Sequence, residues 1–160
     1  MKVQVVLVNP LIPQNTGNIA RLTAANRVRL HLIEPLGFEL SERTVRRAGL
    51  DYWPETDVHV HKDWETFLAV TGATKNKLWF LSTKATRSLY ETTLDEDCFL
   101  VFGNESSGLS AFFHENYSDS RIGIPMENPN IRSLNLANAV SIALYEVKRQ
   151  NRLIKLNSEI

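Results

Sequence analysis

Apolar residues along this chain come in short runs bounded by polar turns. Residues 3–8 form a β-branched run, and further runs fall at 30–34, 58–61, 78–82, 98–102 and 122–124. Runs apolar on both faces mark strands buried in a parallel sheet. The intervening segments carry helical spacing instead. Ile19 and Leu22 share one face of a helix predicted over 16–26. Ser41 begins a short basic helix with Arg43, Arg46 and Arg47, ending near Gly49. Asp63 caps a helix through about 70, and Leu109 starts another to about 116. The longest helix is predicted over 134–151, with Ser133 as its N-cap and Leu136, Val140, Leu144 and Val147 along one face. This alternation predicts an α/β fold with a mainly parallel sheet flanked by helices.

The long helix has a second apolar side. Ile142 and Tyr145 lie well off the first face, and a helix apolar over much of its circumference is buried on two sides. A chain of 160 residues has little material to cover both, so the pattern predicts a homodimer with this helix shared. Its N-terminus, with Arg132, Ser133 and Asn135, offers free backbone N–H groups and polar side chains to a ligand.

Charge narrows the picture. Eighteen basic residues balance eighteen acidic ones, which excludes a chain that coats nucleic acid by bulk charge but permits local basic patches. The one cysteine, Cys98, lies in the apolar run CFLVF; it excludes an intrachain disulfide and suits a reducing compartment. No apolar run reaches the length of a membrane span. The expectation is one domain over 1–160, soluble and cytoplasmic.

Two segments and several scattered side chains carry candidate chemistry. NTGNIAR at 15–21 follows the first strand and reads by itself as a helix cap followed by a surface arginine, close to the sheet edge where ligands bind. GNESSG at 103–108 joins a buried strand to a helix, where glycines permit close backbone approach to a ligand. It lacks the lysine of a P-loop and the spacing of GxGxxG or of a GxSxG elbow, which disfavours a serine hydrolase using Ser106 or Ser107. The basic sets Arg43, Arg46, Arg47, then Lys84, Arg87, then Lys148, Arg149, Arg152, Lys155 read as solvated faces or phosphate contacts. Tyr52 and Trp53 could stack a base or pack in the core. His59 and His61 share a strand face but have no third ligand, so no metal is expected.

Together with IPM…SLNLANAVSIALYE at 124–146, these segments resemble, in order, the three motifs of the SPOUT class of RNA methyltransferases. Asn15, Gly17 and Arg21 match the first motif; Gly103, Glu105, Gly108 and Leu109 match the second. RRAGLDYW at 46–53 is similar to a narrower group, the minimal tRNA methyltransferases that modify the wobble ribose. The resemblance implies a deep C-terminal trefoil knot, where the generic rule expects an un-knotted sheet. It implies S-adenosylmethionine bound against Leu81, Gly103, Ile124, Met126 and Leu134 with Ser133 near it, leaving S-adenosylhomocysteine as product. Arg21, Glu105 and Asn135 fall at catalytic or substrate-contacting positions, and Asn15, Arg43, Arg46 and Arg47 fall on the RNA side. A guanidinium stays protonated at neutral pH. Arg21 is therefore expected to clamp phosphate and stabilise a forming alkoxide, with the proton leaving to water or Glu105. The implied reaction is methylation of the 2′-hydroxyl of nucleotide 34, cytidine or uridine, in the tRNA anticodon stem-loop by a homodimer. The rival readings are a methyltransferase of this class acting on another tRNA or rRNA ribose, and a dimeric α/β module that holds a nucleotide without turnover.

Overall fold

The computed structural model describes residues 2–41, 43 and 53–152. Six strands form one sheet: β1 (Gln4–Val8), β2 (Leu30–Ile33), β3 (Val58–His61), β4 (Leu78–Leu81), β5 (Phe99–Phe102) and β6 (Arg121–Ile122). Their order is β3-β2-β1-β5-β4-β6, and every pairing is parallel. β1 is central, with Val5 level with Leu30 on one side and Leu100 on the other.

The two sheet faces build separate cores, as the period of two along a strand requires. Val5, Leu7, Leu30, Leu32, Leu100 and Phe102 point to one face. There they meet Ile19 and Ala20 of α1 (Pro13–Ala25) and Val140, Ala143, Leu144 and Val147 of the C-terminal helix. Val6, Val8, Phe80, Phe99 and Val101 point to the other. That face packs Trp64 and Phe67 of α2 (Trp64–Thr71) and Phe113 of α3 (Ala111–Asn116). Asp63 caps α2 as its sequence predicts, accepting from the Thr66 N–H at 2.8 Å.

The C-terminal helix, α4 (Leu136–Gln150), starts two residues later than the apolar pattern suggests. Its N-cap is Asn135 and not Ser133. The Asn135 side-chain carbonyl accepts from the N–H of Ala137 at 2.9 Å and of Asn138 at 3.3 Å, satisfying two donors that a helix start leaves open. Its far end is fastened by side-chain amides. Gln150 Oε1 accepts from Leu94 N–H at 2.8 Å, Gln150 Nε2 donates to Thr92 O at 2.9 Å, and Asn151 Nδ2 donates to Leu94 O at 2.8 Å. Ile142 is partly covered by the core of its own chain, whereas Tyr145 remains 44% exposed.

Between β6 and α4 the chain runs against the segment that follows β4. Gly123 donates to Arg87 O at 2.9 Å and accepts from Leu89 N–H at 2.8 Å. A Cβ at Gly123 would come within 3.2 Å of Ser82 O, so the two segments lie close enough that a larger residue would push them apart by a few tenths of an ångström.

Buried polar side chains join β1, β2 and β3. His31 Nδ1 lies 2.8 Å from His61 Nε2, and His31 Nε2 lies 2.7 Å from Gln4 Oε1. Since Gln4 Oε1 can only accept, His31 carries its proton on Nε2 and accepts from His61 through Nδ1. Burial, with His61, His59 and Arg29 nearby, lowers the His31 pKa to about 3. His59 shares the face but is exposed, bonded to Asp57. Trp53 packs partly against the core.

Candidate active site

A cavity of about 510 Å³ opens at the C-terminal edge of the sheet, where parallel α/β sheets place their ligands. Three stretches wall it: Leu81–Lys84 after β4, Phe102–Leu109 after β5, and Ile124 to Leu136 before and into α4. Ile12 and Asn15, at the start of α1, close another side. All six residues expected to hold the cofactor (Leu81, Gly103, Ile124, Met126, Ser133 and Leu134) line this one space.

The loop after β5 is shaped from within. Asn104 Oδ1 accepts from the N–H of Ser106 at 3.0 Å and of Ser107 at 2.8 Å, and from the Ser107 hydroxyl at 3.2 Å. Asn104 and Gly108 exchange backbone bonds, and Gly108 turns with φ +68°. A Cβ at Gly103 would lie 2.0 Å from the carbonyl carbon of Gly108, so no other residue fits there in this loop. The Ser107 hydroxyl is thus engaged with an amide, not with a base.

Glu105 leaves this loop and crosses to the start of α1. Its Oε2 accepts from Leu11 N–H at 2.8 Å and its Oε1 from Ile12 N–H at 3.0 Å. Oε1 also receives Asn15 Nδ2 at 3.4 Å. Asn15 Oδ1 in turn accepts from Asn135 Nδ2 at 3.0 Å, and Asn135 caps α4. One carboxylate and two amides therefore connect the three motif segments.

The other expected residues are placed differently. Arg21 sits on the exposed side of α1, two turns beyond Asn15, and is not a wall of the cavity. Arg43 is exposed. Arg46, Arg47 and Tyr52 lie outside the described residues. The walls also include Lys84, His114 and Arg132. The sequence offers Lys84 only as part of a solvated face or a phosphate contact, and Arg132 only at the start of the long helix. His114 had no such signal: α3 turns it toward the cavity, where its Nδ1 lies 3.2 Å from an Arg121 guanidinium nitrogen. Burial first, then Lys84 and Arg121, hold its pKa below the usual imidazole range. Among the described residues no three His, Cys, Asp or Glu side chains are placed to hold a metal ion, and no helix is long and apolar enough to cross a membrane.

The cavity suits a ligand with apolar and polar parts. Leu81, Ile124, Met126 and Leu134 supply contact surface, while Ser133, Lys84 and Arg132 supply hydrogen bonds and positive charge. The chain belongs to the SpoU rRNA methylase family, whose sequence model matches residues 2–145. More specifically, it is 47% identical to the tRNA (cytidine(34)-2'-O)-methyltransferase of Saccharophagus degradans, over 91% of this chain and 94% of that one. It is 42% identical to the enzyme of the same name from an Acidovorax species, over 94% and 93%. A solved structure described as giving insights into 2-OH methylation of C/U34 on tRNA superposes with a TM-score of 0.84 at 42% identity, covering 95% of this chain and 97% of that one. The AviRb methyltransferase of Streptomyces viridochromogenes, in complex with AdoMet, shares the fold at a TM-score of 0.78 and 23% identity, over 93% of this chain and 57% of that one.

Proposed function

We propose that this protein transfers a methyl group from S-adenosylmethionine to the ribose 2′-hydroxyl of nucleotide 34, cytidine or uridine, in the anticodon stem-loop of tRNA. The observation that carries the reading is the convergence of all three motif segments on one cavity. The relatives above, matched over nearly their whole length, support the substrate.

Leu81, Gly103, Ile124, Met126, Ser133 and Leu134 would hold the cofactor. The cavity volume falls in the range of small-molecule sites, roughly 300–1,000 Å³. When bound there, S-adenosylmethionine supplies an electrophilic methyl carbon. The chain's part is to orient that group, exclude water and present the ribose. Lys84 and Arg132 at the wall add positive charge. Arg21 is assigned to the RNA, clamping a phosphate and stabilising the oxygen as its proton leaves. The close pass of the chain at Gly123 against the segment after β4 supports the reading of a trefoil knot, as in the family.

The assembly we infer is a homodimer. Tyr145 is exposed on α4, where Asn26 Nδ2 donates to its hydroxyl at 3.4 Å and the Lys148 ammonium lies 5.6 Å from its ring centre. A partner covering this face would bring the RNA-side arginines of one chain near the cavity of the other. Labelled cofactor incubated with total tRNA, followed by nuclease mapping, tests the reading. A methyl on ribose 34 is expected; a methyl on a base, or outside the anticodon loop, overturns it.

A further inference from the structure

α1 begins without a cap of its own. Ile12 stands at the N-cap position with no side-chain hydrogen bond, and Pro13 follows at the first helical position. In a capping box, a glutamate three residues into the helix reaches back to the backbone N–H of the N-cap. Here that third position is Asn15, an amide, and the N-cap N–H of Ile12 goes to Glu105, 93 residues away. The Leu11 N–H goes to the other oxygen of the same carboxylate.

We propose that Glu105 is a positioning residue: it caps α1 from across the cavity and, through Asn15, joins that cap to the Asn135 cap of α4. The inference rests on the methyltransferase reading above. It departs from the expectation that Glu105 receives the ribose proton. Both carboxylate oxygens already accept from the loop before α1, and one also accepts from Asn15. Asn15 spends its other side-chain atom on Asn135, whose own carbonyl is spent on the first turn of α4. Each of these bonds is made to a neighbour in the chain, although Glu105, Asn15 and Asn135 also line the cavity. Arg21 lies six residues beyond Asn15, about 9 Å further along the axis of α1. Its place against RNA is therefore set by how the start of α1 is seated. Glu105, standing in the loop that borders the cofactor space, seats it.

The test uses the whole protein with S-adenosylhomocysteine bound. Amide exchange is read at Leu11 and Ile12 in the wild type, Glu105→Gln and Asn15→Ala, alongside kcat/KM on tRNA for the singles and the double. A hydrogen bond to a charged acceptor implies that Glu105→Gln speeds exchange at both amides by roughly tenfold or more. Because the residues act as one unit, the double variant should lose less activity than the product of the single losses. Glu105→Gln, which keeps one side-chain carbonyl, should retain more activity than Glu105→Ala. Abolished transfer in Glu105→Gln with wild-type exchange at Leu11 and Ile12 would overturn the assignment and place Glu105 on the reacting atoms. A wild-type enzyme that methylates no tRNA would instead sink the functional reading, while the exchange data would still decide whether Glu105 caps α1.

Discussion

Asn135 Nδ2 donates to Asn15 Oδ1 at 3.0 Å across 120 residues of sequence. The same Asn135 side chain caps α4 through its carbonyl. Asn135→Asp separates the two roles, since a carboxylate caps as well as an amide but cannot donate. It should keep thermal stability near wild type and lose methyl transfer. Asn135→Ala should lose both, with a stability cost of about 1 kcal/mol. Thermal denaturation read beside single-turnover methylation checks the pair; wild-type activity in Asn135→Asp would assign Asn135 to capping alone.

The loop after β5 predicts a contrast between its two glycines. Gly103→Ala must displace the 108–109 backbone, so S-adenosylhomocysteine affinity should fall and stability drop by about 1–3 kcal/mol. Gly108 has open space around it but a left-handed backbone. Gly108→Asn should therefore be well tolerated, and Gly108→Val should not. Calorimetric titration of S-adenosylhomocysteine into each variant decides.

Arg21→Ala should abolish methylation while S-adenosylhomocysteine affinity stays within about twofold, a difference of roughly 0.4 kcal/mol. The reason is that Arg21 is not among the residues that wall the cavity. A large loss of cofactor affinity would move Arg21 from the RNA side to the cofactor side.

His31 makes stability depend on pH. Above about pH 6.5, the ordinary imidazole value, it is neutral folded and unfolded. Below that the unfolded chain takes up a proton that the folded chain refuses until about pH 3. Stability should therefore fall with pH across this window, by up to about 1.4 kcal/mol per unit from this group. His31→Gln should flatten the slope, as urea denaturation at pH 7, 6 and 5 would reveal. An unchanged slope would assign the dependence elsewhere.

Tyr145→Glu tests the assembly. Tyr145 is exposed in one chain while Ile142 is partly covered, so the tyrosine variant reads the interface with less damage to the core. Monomers in sedimentation are expected; an intact dimer would put the interface on another face.

Much of this was legible in the residues. The apolar runs located all six strands, and Asp63 announced its cap. The motif residues Leu81, Gly103 and Ile124 were assigned to one space that the fold does assemble. What the sequence concealed was partnership. Ser133 and Asn135 are both good caps, and only the three-dimensional neighbour Asn15 distinguishes them. Glu105 read as a catalytic or substrate-contacting carboxylate because its donors are backbone N–H groups 93 and 94 residues away, which no local pattern can reveal. His31 and His61 sit on adjacent strands, so their contact depends on strand order and not on spacing.

The two ends of α4 are each fixed by amide side chains, Asn135 at one and Gln150 with Asn151 at the other. The helix is thereby a ruler of set length. One residue inserted between these marks would rotate everything beyond it by about 100°. Val140, Leu144 and Val147 could not then stay in the core while Gln150 kept its bonds. Insertions and deletions should consequently be excluded from 136–149, however readily single substitutions on its outer side are accepted. The exposed turn at 127–131 carries no such constraint. Length variation in a library of such chains should collect there.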